Sequence, residues 1–185
     1  MKYKSRIWQY GPCVNPEKCK FLIDYFHNSP DVADAKIGDI NNQVVHEHRK
    51  ARLCWIPERE SITLFLFTHG LIANHKAAWG FDIETSEKTQ IGEYLIGGHY
   101  DWHRDEEFFN KEKGSHRKVS VVMQLSNPED YEGGDLILDY SQQIRASRER
   151  GSIVAFPSEL MHKVTPVTRG VRYSATLWLS GPLMA

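Results

Sequence analysis

Residues 117–140 read RKVSVVMQLSNPEDYEGGDLILDY: two short apolar runs, Val119–Leu125 and Leu136–Tyr140, separated by Asn-Pro and Gly-Gly. Runs of this length, rich in β-branched residues and closed by turn formers, predict strands rather than helices. The same pattern continues both ways. Upstream stand WGFDI (79–83) and QIGEYLIGG (90–98); downstream follow QQIRAS (142–147), GSIVAFP (151–157), HKVTPV (162–167) and RYSATLWLS (172–180). Eight β segments in about a hundred residues, with no helical pattern between them, predict a mostly β fold: a double-stranded β-helix, or jelly roll.

The first 78 residues differ in character. Asn15 can cap a helix and Pro16 suits its first position, and Cys19, Leu22, Ile23 and Phe26 recur at helical spacing up to about His27. A second helix is expected after Pro57, with Ile62, Phe65, Leu66 and Ile72 on one side, ending near Ala78. The expectation is one domain over residues 1–185, with a helical flank to about residue 78 and a jelly-roll core over about 79–182. The charged stretch EEFFNKEKGSHRK (106–118) interrupts the strands and is expected to be a loop, a candidate lid.

Composition narrows the function classes. With 23 Lys and Arg against 24 Asp and Glu, the chain carries no basic excess of the kind that grips a duplex, so a nucleic-acid partner is not expected. Cys13, Cys19 and Cys54 lack Cys-x-x-Cys spacing and read as reduced thiols. The N-terminus has no signal-peptide run and no segment is apolar enough to span a bilayer, so a cytoplasmic protein without membrane contact is expected.

The chemistry concentrates in HYDWHRD, residues 99–105, which contains His-x-Asp twice. On a regular strand, residues 99, 101, 103 and 105 share one face, and four ionisable groups there suit the wall of a site better than a core. Two histidines and one carboxylate form the facial triad of non-haem Fe(II) oxygenases, and His162 can supply the second imidazole. Spacing alone leaves open whether His99 and Asp101 or His103 and Asp105 join it. In RGVRYSATLWL (169–179), Arg172, Ser174, Thr176 and Trp178 share a strand face, and a guanidinium fixed there suits a carboxylate.

Taken in order, Tyr94-x-x-Gly97-x-x-Tyr100-x-x-His103-x-Asp105, Arg117-Lys118-Val119-Ser120, Tyr131-x-Gly133-Gly134-Asp135-Leu136, Phe156-Pro157, His162-x-Val164-x-Pro166-Val167 and Arg172 resemble the 2-oxoglutarate- and Fe(II)-dependent oxygenases of the prolyl 4-hydroxylase group. The resemblance spans roughly Trp79 to Gly181. It implies His103, Asp105 and His162 as metal ligands and catalytic centre, leaving His99 and Asp101 as a polar edge or substrate lip. It also implies that Arg172, Tyr94, Thr176, Ser174 and Gln124 hold 2-oxoglutarate, with Gln124 standing where several relatives place a Tyr. Arg117, Trp178 and Tyr100 would then meet the substrate. The implied reaction hydroxylates an unactivated C–H bond with molecular oxygen, releasing succinate and carbon dioxide, with ascorbate as reductant. Asp105 points to hydroxylation, because related halogenases lack that carboxylate. Arg172 stands where collagen-type members carry Lys, so the chain is more similar to the oxygen-sensor and microbial branches. The expected substrate is a prolyl residue of a peptide or protein; the alternatives are a free amino acid or other small molecule, or a cupin-like module that holds metal without turnover.

Overall fold

The computed structural model describes residues 7–36, 46–61, 64, 79–106, 108–110 and 114–182. In chain order the elements are β1 (Trp8–Tyr10), α1 (Pro16–Asn28), β2 (Ala33–Asp34), β3 (Arg49–Lys50), β4 (Arg52–Trp55), β5 (Thr85–Ser86), β6 (Gln90–Tyr94) and β7 (His99–His103). They continue with β8 (Phe108–Asn110), β9 (Ser115–Gln124), β10 (Tyr131–Gly133), β11 (Leu136–Tyr140) and β12 (Gln142–Arg145). The chain closes with β13 (Ile153–Pro157), β14 (His162–Val164), β15 (Val167–Gly170) and β16 (Arg172–Pro182).

Two antiparallel sheets face each other. The larger runs β1-β13-β9-β16-β6-β4-β2, with β5 on β16 and β8 on β9; the smaller runs β12-β11-β14-β7-β3. The large sheet is covered on both sides. Val119, Val121, Met123, Ala175, Leu177 and Leu179 pack outward against Cys19, Leu22 and Phe26 of α1. Tyr94, Val154 and Phe156 turn inward to meet Leu136, Leu138 and Val164 of the small sheet. Strict alternation therefore divides each central strand between a dry outer core and an inner space that can hold polar groups.

The expected jelly roll is present, and α1 begins as predicted: Asn15 Oδ1 accepts from the Lys18 N–H at 2.7 Å, and Pro16 opens the helix. The flank is not purely helical. It supplies β1 to one edge of the large sheet, β4 and β2 to the other, and β3 to the small sheet. These strands have two to four residues, too few for a period to show in the sequence. Most of the second expected helix, from residue 62 to 78, lies outside the described residues apart from Leu64; Glu58–Ser61 is helical.

WGFDI is not a strand. Trp79, Phe81 and Ile83 pack against the outer core, and the chain pairs with β16 only at Thr85–Ser86. The close approach needs Gly181, since a Cβ there would meet the Asp82 carbonyl oxygen at 1.9 Å. The stretch 106–118 is also not one loop, because Phe108–Asn110 pairs with the start of β9, which already begins at Ser115. Residues 107 and 111–113 lie outside the described set.

Candidate metal and anion site

The strand register of β7 decides which of its polar residues meet. Across from β14, His103 pairs with His162 but Tyr100 pairs with Val164, so three steps on β7 oppose two on β14. This bulge breaks the expected alternation. Residues 99, 101, 103 and 105 do not share a face; Tyr100, His103 and Asp105 line the inner cavity instead. Asp101 is exposed and accepts from the Trp102 N–H at 2.7 Å. Both ring nitrogens of His99 lie 3.0 Å from backbone carbonyls, those of Gly97 and Glu47.

His103, Asp105 and His162 each offer a ligand atom, and these atoms all lie within 4.8 Å of one another. Nε2 of His103 is 3.5 Å from Asp105 Oδ1, and Nε2 of His162 is 3.4 Å from Asp105 Oδ2. Nδ1 of His103 is 2.7 Å from the Asp101 carbonyl and Nδ1 of His162 is 2.8 Å from the Leu160 carbonyl. A carbonyl only accepts, so each Nδ1 carries a hydrogen, which leaves each Nε2, aimed at the carboxylate, as the nitrogen a metal would take. Asp105 is held by the Ser120 hydroxyl, donating to Oδ2 at 2.7 Å, and by its own N–H donating to the Ser158 carbonyl at 2.9 Å. Two imidazoles and a buried carboxylate converging on one point fit Fe(II).

Electrostatics in the metal-free pocket follow from burial and charge. Burial acts to raise the Asp105 carboxyl, but the two imidazoles outweigh it and hold the group well below the usual carboxylate range. Burial lowers His103, which prefers to stay neutral. Burial also acts against the His162 cation, yet the adjacent Asp105 charge prevails and raises it.

Beyond the triad, the cavity is lined by Tyr94, Arg172, Ser174, Thr176 and Trp178, so the expected face of β16 holds along its length. Arg172 is 2% exposed. Its Nη1 lies 3.2 Å from Ser174 Oγ and its guanidinium 5.3 Å from the Tyr94 ring centre, and no carboxylate pairs with it among the described residues. A buried guanidinium without a counter-charge is costly unless an anion arrives. Gly134, at φ +61°, seats its stem: a Cβ there would meet Arg172 Cδ at 3.0 Å and Val167 Cγ2 at 2.9 Å.

Two candidates sit elsewhere. Gln124 faces a second, small recess on the other side of Arg172, where its amide donates to the Tyr131 hydroxyl at 2.9 Å. Arg117 is held by Glu87, with Nη2 donating to Oε2 at 2.7 Å and Nε to Oε1, and lies 4.2 Å over the Trp178 ring. Ser120, Ser158, Gln90 and Arg49 also serve the site, though no motif assigned them a role. Ser120 carried a usable signal, since it shares strand parity with Gln124; Arg49 carried none, because β3 has only two residues.

Residues 89–180 match the sequence profile of the 2OG-Fe(II) oxygenase superfamily, a span that carries the whole triad and Arg172. The chain belongs to this superfamily. A PKHD-type hydroxylase of Pseudomonas fluorescens is 41% identical over 90 residues, which cover 46% of this chain and 39% of that protein. A PKHD-type hydroxylase of a Synechococcus species is 34% identical over 88 residues, with the same coverage of each chain. The match thus spans about two fifths of the length of these relatives. Among solved structures, a Pseudomonas putida prolyl-4-hydroxylase superposes with a TM-score of 0.73 at 20% identity, covering 94% of this chain and 92% of that one. A Trichoplax adhaerens prolyl hydroxylase, solved with a hypoxia inducible factor peptide fragment, gives 0.76 at 21% identity, covering 94% and 83%. At such identities the likeness establishes the shared double-stranded β-helix. The donor set and the unpaired Arg172 suit the Fe(II) and 2-oxoglutarate that the superfamily's name implies.

Proposed function

We propose that the protein is a dioxygenase that hydroxylates an unactivated C–H bond of a prolyl residue in a peptide or protein, consuming oxygen and 2-oxoglutarate and releasing succinate and carbon dioxide. One observation carries the reading: a cavity with a His-Asp-His donor set also contains a buried guanidinium, Arg172, with no carboxylate partner among the described residues. The iron and cosubstrate supply the oxidising chemistry when bound, and the protein supplies position and shelter.

His103 and His162 present Nε2 to the metal, each fixed by its Nδ1 hydrogen on a carbonyl. Asp105 adds the third ligand, oriented by Ser120. Arg172 takes the distal carboxylate of 2-oxoglutarate through its planar fork, and the hydroxyls of Tyr94, Ser174 and Thr176 line the path between. Trp178 walls the cavity and stands 6.2 Å from Trp55, which is 42% exposed. Together they offer an apolar platform of the size of a pyrrolidine ring, with Arg117 stacked on the Trp178 face. The name of the PKHD-type relatives supports hydroxylation, and those of the prolyl hydroxylase neighbours support a prolyl substrate. Among the described residues no helix is long and apolar enough to cross a membrane.

An anaerobic titration with Fe(II) and 2-oxoglutarate tests the site: a visible charge-transfer band is expected. A peptide screen then measures succinate release and the mass gain of one oxygen atom. Oxygen added to free proline but to no peptide assigns the small-molecule alternative. Metal binding without succinate makes the chain a non-catalytic module.

A further inference from the structure

Arg49 lines the same cavity as the triad and Arg172, and the cosubstrate does not account for it. It stands on β3 opposite Tyr100. Its guanidinium lies 4.4 Å over the Tyr100 ring, which in turn stacks 3.4 Å from the His103 ring, so cation, phenol and imidazole form three layers ending at a metal-binding side chain. Nη2 donates to Gln90 Oε1 at 2.9 Å, which fixes the rotation of the fork. Nε is buried and has no hydrogen-bond partner, and no carboxylate pairs with Arg49 among the described residues. The site has therefore oriented a second guanidinium, by a neutral amide and a ring, without neutralising it.

The charges of the lining make the same point. Arg49, Arg172 and a divalent iron are positive, whereas Asp105 and dianionic 2-oxoglutarate supply one negative charge too few. Arg172 is buried and Arg49 is partly exposed, so a carboxylate held by the inner cation leaves the outer one unanswered. We infer that Arg49 is a specificity-determining residue that binds a carboxylate of the substrate, so that the preferred target carries an acidic side chain or terminal carboxylate beside the carbon to be oxidised. This rests on the oxygenase reading above.

The test uses the protein loaded with Fe(II) and saturating 2-oxoglutarate without oxygen. Binding is measured for N-acetyl-prolyl-glutamate against N-acetyl-prolyl-glutamine peptides with an amidated C-terminus, and for N-acetylproline against its amide. At least one acid should bind about tenfold or more tighter than its amide, and that ratio should fall close to one in Arg49→Gln and be partly restored in Arg49→Lys. Which acid is favoured tells an acidic peptide from a small carboxylate. Equal binding of acid and amide, no binding of either acid, or an unchanged ratio in Arg49→Gln overturns the inference. So does a loss of 2-oxoglutarate affinity in Arg49→Gln as large as the loss of substrate, which would place Arg49 on the cosubstrate. Replacing proline by alanine in the acidic peptide tests the prolyl reading separately: retained acid preference with no loss of binding removes the prolyl assignment and leaves Arg49's role standing.

Discussion

Arg172 is expected to work against the ligand-free protein and for the loaded one. Its side chain is 2% exposed, with the stem against Gly134 and the fork on Ser174 and Tyr94, and no carboxylate answers its charge. Arg172→Met keeps most of the stem volume and removes the charge. Replacing buried charged groups with apolar side chains of similar volume is neutral or stabilising by about 1–4 kcal/mol. At about 2–4 °C per kcal/mol for a chain of this size, the metal- and ligand-free variant should melt at the same temperature as the parent or several degrees higher. The loaded state behaves oppositely. Truncating one partner of a buried, hydrogen-bonded charge pair costs about 2–5 kcal/mol, roughly 30-fold to several thousand-fold in 2-oxoglutarate affinity. Arg172→Lys keeps the charge but loses the fork and should fall between. Scanning calorimetry of the free proteins and anaerobic 2-oxoglutarate titration of the metal-loaded ones read the two halves. A variant that melts well below the parent yet binds 2-oxoglutarate normally would show that Arg172 is a packing residue and not an anion site.

Other substitutions test the rest of the site. His103→Ala, Asp105→Ala and His162→Ala should each abolish iron-dependent succinate release, while His99→Ala and Asp101→Ala retain most of it; full turnover in His103→Ala would exclude the triad. Ser120→Ala removes the hydroxyl on Asp105 Oδ2, and metal affinity measured by competition with a chelator should drop about 10- to 100-fold. In the metal-free protein, Asp105→Asn removes the charge that raises His162, so NMR should find the imidazole titrating at lower pH than in the parent. The same coupling has a stability signature with two edges. Asp105's contribution, from a depressed carboxyl, is present above the ordinary carboxylate range and lost as pH falls through its folded value. That of His162, from a raised imidazole, is full below its ordinary value and lost as pH rises through the folded one. Thermal melts of the metal-free parent and Asp105→Asn should therefore differ most in the window between, and a constant difference across pH would count against the ion pair.

Local pattern was enough for the strand-rich core, the cap of α1 and the face of β16, because each depends on side-chain period or on a turn residue a few positions away. The alternation of Arg172, Ser174, Thr176 and Trp178 against Tyr173, Ala175, Leu177 and Leu179 survives folding because β16 stays in register through that stretch, on β6 from Arg172 to Thr176 and on β9 from Ser174 to Leu179. Motif order picked out His103, Asp105 and His162, but not how they meet. That depends on the bulge between β7 and β14, which brings Tyr100 onto the side of His103 and leaves Asp101 in solvent. A bulge is a mismatch between two strands sixty residues apart, so neither strand displays it alone. The role of Arg49 was hidden for the same reason: a two-residue strand has no readable period, and the ring and amide that aim its guanidinium come from β7 and β6. Ser120 and Ser158 likewise acquire a function only when β9 and the turn after β13 close around Asp105. Period and spacing reach along one strand, whereas the charge balance of the cavity is set by which strands the two sheets bring face to face.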